Sequence, residues 1–193
     1  MVNSGCGCSG SMKMNITDTL VNEHRLILRM IALLERNAPL TAEATYLNWH
    51  FYHDGIDFIR QYADRFHHAK EEDVLFKALV ENGMPREHSP VAAMLMEHDQ
   101  GRGFVAAMET ALRTAQGGDP AAYRDIADNA LGYGALLREH IAKEDGVLYP
   151  LAERVLPDTM RGAIVTQYQA AESRMPPGLE AGYLAVIIRY EQE

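Results

Sequence analysis

Two short stretches set the chemical question. "HHAKEEDVLF" begins at His67 and "HIAKEDGVLY" at His140, so that His67, Ala69, Lys70, Glu71, Val74 and Leu75 recur as His140, Ala142, Lys143, Glu144, Val147 and Leu148. Each copy places a histidine and a glutamate four residues apart. On a helix such residues lie one turn apart on the same side, roughly 6 Å between Cβ atoms, so an imidazole and a carboxylate can converge on one ion. A single pair of this kind is common on helix surfaces; two copies in matched register are not. A similar offset relates Glu23-His24 to Glu97-His98, and His24 and His98 each replace an apolar residue on an otherwise apolar stripe. The chain reads as a duplicated helix pair, each pair supplying one early His and one later HxxxE.

Six inward groups result: His24, His67, Glu71, His98, His140 and Glu144. They are too many for one ordinary zinc site and suit two iron or manganese ions, each glutamate placed to bridge and each imidazole terminal. Without a cation, four histidines and two carboxylates in an apolar core would carry a large unmet desolvation penalty. Two divalent ions against two carboxylates leave a positive centre that accepts hydroxide, oxide, peroxide or a diatomic gas at an open position.

Register and periodicity select His67 and Glu71 over their neighbours. The second copy carries no histidine after His140 and has Asp145 after Glu144. His67 shares its stripe with Ile56, Ala63, Val74 and Ala78, whereas His68 follows Gln61, Asp64 and Arg65 on its own face. His68, Glu72 and Asp145 are therefore expected at the rim, as supporting groups or alternative ligands. His53, with Asp57 four residues on, is a weaker alternative; like His50 it reads better as a surface histidine beside Trp49 and Tyr52. Arg102, one turn beyond His98, reads as a surface ion pair near the entrance.

Four helices must position these groups. Helix A starts at Thr17-Asp18 and ends near Asn37-Pro39, and a second helical region runs from about Thr41 to Leu79. A straight hairpin turning near Pro39 would set Asp54 opposite His24 and leave His67 about 20 Å further along at roughly 1.5 Å per residue. Residues 38 to 53 are therefore expected not to continue helix B simply, with Asp54-Gly55 as a break or new cap. Helix C opens at Ser89-Pro90, and Gly117-Gly118-Asp119-Pro120 is a turn. Helix D carries Tyr133, Leu137, His140, Glu144, Val147 and Leu151 on one stripe and ends by Pro157.

Nothing reads as a strand. The expected fold is all-α, an up-down four-helix bundle with short additional C-terminal helices. Residues 1–14 are expected to be a flexible leader, 15–156 the bundle, and 157–193 a helical extension, broken at Pro176-Pro177-Gly178, that packs across it.

"NEHRLIL", "FHHAKEEDVLF", "MEHDQGR" and "HIAKEDGVLYP" together form an H…HxxxE…H…HxxxE pattern. In this the chain resembles the hemerythrin-like family with the HHE cation-binding domain. The resemblance implies a four-helix bundle around a non-heme di-iron centre: two iron ions with an oxo or hydroxo bridge, which manganese or zinc can replace. Members bind dioxygen, sense oxygen or iron, respond to nitric oxide or repair iron centres. The leading expectation is a protein that binds or reduces a small oxidant (dioxygen, peroxide or nitric oxide). The alternative is a non-catalytic oxygen or iron sensor, or an iron-binding protein, acting through a partner.

Composition narrows the partners. The 193 residues carry a formal net charge of −9, without a basic run, which argues against nucleic acid or an anionic membrane surface. No apolar run approaches the roughly 20 residues of a membrane span, and "MVNSGCGCSGSMKM" lacks a signal peptide's apolar segment, so the cytoplasm is the expected compartment. Cys6 and Cys8 both lie in that Gly/Ser-rich start, which leaves no disulfide framework for the core.

Overall fold

The computed structural model describes residues 14–193, all of whose regular elements are helical. Cys6 and Cys8 lie outside the described residues. The first helix, α1 (Asp18–Ala42), is followed by a loop and by α2 (Trp49–Phe58). The latter runs without interruption through π-helical segments Ile59–His68 and Glu71–Leu75 into α3 (Phe76–Glu81). Next come α4 (Pro90–Gln116) and α5 (Ala122–Lys143), the latter continuing through a π segment, Glu144–Leu148, into α6 (Tyr149–Val155). Two further helices, α7 (Asp158–Glu172) and α8 (Leu179–Glu191), complete the chain.

Helix α5 packs against both α1 and α4, and the α2 helix lies against α4 and, through its first π segment, against α1. The close approach of α4 and α5 needs a glycine: a Cβ on Gly132 would sit 2.5 Å from the Phe104 ring. Two apolar clusters fill the interior. One gathers Leu33, Phe51, Phe58, Leu112 and Tyr133, and α8 adds Ile187 and Tyr190 to it. The other gathers Leu20, Leu75, Met94, Leu148 and Tyr149, and α7 adds Ile164 and Tyr168. Buried His24, His67, Glu71, His98, His140 and Glu144 belong to neither cluster.

Local signals explain the element ends, with corrections to the sequence reading at three places: the start of α1, the α1–α2 junction with the start of α2, and the phase of the α5–α6 helix. Ser89 caps α4 by accepting from the Ala92 amide at 3.3 Å, and Gly118 supplies the positive φ of 96° in the turn before α5. At the start of α1, however, the capping oxygen is Asn15 Oδ1, which accepts from the Thr17 and Asp18 amides at 2.8 and 2.9 Å, and the Thr17 side chain caps nothing. Helix α1 also runs through Pro39 to Ala42, the proline forgoing one backbone bond in the last turn. The second helix starts at Trp49, where Asn48 accepts from the Phe51 amide, and Asp54-Gly55 lies inside α2 and breaks nothing.

The third correction concerns phase. Val147, expected inside, is 58% exposed, while Leu148 and Tyr149 are buried. A π turn closes i→i+5, so neighbouring residues are separated by less than the roughly 100° of a 3.6-residue turn, and the inward stripe steps from Glu144 to Leu148 and Tyr149.

Candidate metal centre

The corrected helix ends level the four histidines. His24 lies 18 residues before Ala42 and His67 18 after Trp49; His98 lies 18 before Gln116 and His140 18 after Ala122. Each hairpin therefore brings its two imidazoles to the same height, and the apparent 20 Å mismatch disappears. His24 Nε2 meets His67 Nε2 at 3.0 Å, and His98 Nε2 meets His140 Nε2 at 3.0 Å.

The carboxylates cross between hairpins. Glu71 Oε2 lies 3.6 Å from His67 Nε2 and 3.4 Å from His98 Nε2, while Glu144 lies 3.2 Å from His140 Nε2 and 3.4 Å from His24 Nε2. Both glutamates open a π turn at matched positions, so the duplication extends to this rare backbone form. π turns inside helices are frequent at functional sites.

All four Nδ1 atoms are held by carboxylates in a ring outside the first. Asp145 faces His24 at 2.9 Å, Glu23 faces His67 at 2.9 Å, Glu72 faces His98 at 2.7 Å and Glu97 faces His140 at 2.9 Å. An Nδ1–H that donates to a carboxylate fixes the tautomer whose Nε2 lone pair points the other way. Four such lone pairs then point at the centre, two by two at 3.0 Å, where they repel unless a cation or proton lies between them. Glu71 Oε2 and both Glu144 carboxylate oxygens are fully buried and have no hydrogen-bond partner among the described residues. This donor set, neutral imidazoles with unmatched buried carboxylate oxygens, is one that could hold metal cations.

Without a metal, protons take the cation's place. Burial alone would depress His24 and His98, but the bonds to Asp145 and Glu72 and the charges of Glu144 and Glu71 overcome it and raise both to about 9. Burial dominates at His67 and His68, which fall to about 3. Burial would raise Glu71, yet the surrounding imidazoles hold it well below the usual carboxylate range.

His68 is not at the rim. It is buried, stacks on His98 at 3.7 Å between ring centroids, and groups with Glu71, His98 and His140 in a constellation able to hold an ion; His24, His67, Glu71 and Glu144 form the other. The 3.6 period set His67 and His68 on different faces, but both lie at the end of the π segment Ile59–His68, whose smaller angular step turns both inward. Glu72 and Asp145 stand behind His98 and His24 respectively. His53 is exposed and bonds Gln116 at 3.0 Å, far down the hairpin from the cluster, and His50 is also exposed.

Three supporting features escaped the sequence reading. Lys70 and Lys143 each form a short hydrogen bond with Glu23 and Glu97, and so brace the carboxylates behind His67 and His140. Their recurrence within the repeat was the available signal. Tyr149 donates to Glu71 Oε1 at 2.5 Å and stacks on His24 at 5.6 Å; its counterpart in the first copy is Phe76, which stacks on His98 at 6.0 Å.

A family comparison agrees with this geometry. The model of the hemerythrin HHE cation binding domain matches residues 15–152. The chain belongs to the hemerythrin HHE family. No curated protein and no solved structure matches it. Cation binding is the property that the family description and the buried His/Glu clusters share. No helix among the described residues is long and apolar enough to cross a membrane.

Proposed function

We propose that this hemerythrin-family chain is a non-heme di-iron protein that binds or reduces a small oxidant, namely dioxygen, peroxide or nitric oxide. One observation carries the reading. Four imidazoles with their Nδ1 atoms tied to carboxylates aim their Nε2 atoms at fully buried Glu71 and Glu144, of which Glu71 Oε2 and both Glu144 oxygens have no hydrogen-bond partner among the described residues. In this reading His24, His67, Glu71 and Glu144 hold one ion, and His68, Glu71, His98 and His140 hold the other. The helices α1, α2–α3, α4 and α5–α6 act as an up-down bundle around the pair, with α7 and α8 as the extension packed across it.

A pair of redox-active cations held by these residues would supply the electrons for reduction of a small oxidant; the chain's own groups do the positioning. Asp145, Glu23, Glu72 and Glu97 orient the imidazoles and raise their basicity. Tyr149 donates a hydrogen bond to Glu71 Oε1 and so orients that carboxylate, and burial and the Glu71 charge keep its hydroxyl protonated. Phe76, Leu75 and Leu148, all buried, keep bulk water from the carboxylates.

The test is anaerobic loading with ferrous iron, followed by separate exposure to dioxygen, hydrogen peroxide and nitric oxide. At least one should be consumed in proportion to bound iron, with a new near-ultraviolet or visible band. A protein that takes up zinc but no iron, or an iron-loaded protein inert to all three, overturns the reading.

A further inference from the structure

The two hairpins match at His24, His67, Glu71 and their copies His98, His140 and Glu144, but not beside them. Next to His68 and His98 lies a cavity of about 220 Å³, lined also by Gly101, Arg102, Val105 and Tyr133. Applying the repeat offset, Gly101 corresponds to Ile27, Arg102 to Leu28, Val105 to Ile31 and His68 to Ile141. Ile27, Ile31 and Ile141 are all buried, so branched side chains fill the mirror position. Only on the His68 side does the sequence place a glycine and an imidazole where the other copy has isoleucines.

Within the cavity wall, the Tyr133 hydroxyl is buried and has no hydrogen-bond partner among the described residues. A buried hydroxyl left unpaired is unfavourable, and a ligand that accepts its hydrogen bond relieves that penalty. At the mouth, half-exposed Arg102 spans Asp64 at 2.7 Å, Glu72 at 2.7 Å and Asp99 at 2.8 Å. Arg60, also in the wall, is matched by Glu109 at 2.8 and 3.0 Å. Two guanidiniums thus face four carboxylates, an excess of negative charge that turns anions away. Exposed ion pairs such as those of Arg102 are individually weak, so the guanidinium can swing out readily.

We propose that this cavity is the route by which a small neutral hydrogen-bond acceptor, no larger than hydrogen peroxide or a diatomic gas, reaches the centre. Arg102 is its lid and the Tyr133 hydroxyl its holding donor. The assignment rests on the di-iron reading for its purpose, but not for its geometry.

Two measurements test it, using the full chain. In the first, nitric oxide association with reduced, iron-loaded protein is followed by stopped-flow absorbance. Gly101→Ile, which restores the residue of the mirror position, should slow association about tenfold or more at unchanged iron content, and Arg102→Leu should speed it about threefold. An unchanged rate in Gly101→Ile overturns the proposal. Should that variant not fold, Gly101→Ala serves instead, because its added carbon meets Leu137 at an ordinary 3.5 Å; a rate lowered about twofold or more supports the route and an unchanged one overturns it. In the second, crystals of metal-free protein are pressurised with xenon. Xenon beside Tyr133 supports an accessible cavity, and its absence there overturns the proposal. If the chain binds neither iron nor nitric oxide, the di-iron reading fails in the first measurement, while the second still decides on the cavity.

Discussion

The two hairpins share their inner ring and differ in what surrounds it. Behind His67, Lys70 is fully buried, lies 3.7 Å from the Phe66 ring centre, and bonds both Glu23 and, at 3.1 Å, Glu172 of α7. Behind His140, Lys143 makes the matching bond to Glu97, but its side chain is 43% exposed, and no helix among the described residues covers it as α7 covers Lys70. Similar contrasts set His68 against Ile141 and Tyr149 against Phe76. Six groups at the centre thus recur between the copies, whereas His68 and positions one layer out have diverged to make one side sealed and braced and the other open.

The largest effect that would break this picture lies at the two buried central carboxylates, Glu71 and Glu144. Glu71→Ala should abolish most iron binding, as should Glu144→Ala, whereas Glu72→Ala removes only a brace behind His98 and should lower affinity about tenfold. Metal content by elemental analysis after dialysis distinguishes them. Equal losses from Glu71→Ala and Glu72→Ala would contradict the division into inner and outer rings.

Next in size comes the contrast between the lysines. Lys70→Met leaves Glu23 buried beside His67 without its cation and should destabilise the protein by about 3–5 kcal/mol. Lys143→Met, at a half-exposed pair, should lower stability by less than about 1 kcal/mol. Urea unfolding of the two metal-free variants measures both. Similar values would mean that the covering by α7 has no energetic consequence.

The smallest effect sharpens the role of protons as stand-ins. In metal-free protein His24 and His98, raised from the ordinary 6.5 to about 9, contribute stability that is complete below about pH 6.5 and lost as pH rises through about 9. His67 and His68, lowered to about 3, act in the opposite sense, with stability present above about pH 6.5 and lost as pH falls towards 3. The unfolding midpoint of the metal-free chain should therefore peak near pH 6.5. In iron-loaded protein the alkaline decline should vanish, because cations then occupy the Nε2 positions. An alkaline decline of equal size in both forms would contradict this.

Much of the centre was legible in the sequence because the repeat states each requirement twice. His67 and Glu71 could be told from ordinary surface residues only by their copies His140 and Glu144, and Ser89-Pro90 and Gly117-Gly118 marked their helix ends by local chemistry alone. What could not be read was backbone phase. His68 and Val147 were misplaced for one reason: a 3.6-residue period assumes α geometry, and π turns at Ile59–His68 and Glu144–Leu148 change the angle at which each side chain leaves the axis. Nothing in the residue types announces such a turn. The persistence of α1 through Pro39 was hidden similarly, since a proline disfavours a helix interior without forbidding it.

The claim beneath all of these is that the interior between the two apolar clusters is built for a pair of cations. Iron per chain, measured by elemental analysis after anaerobic loading and exhaustive dialysis, tests it most directly. About two iron atoms per chain are expected, falling to about one or fewer in His140→Ala. Retention of a single ion per chain, or of none, with an unaltered unfolding midpoint, would contradict it.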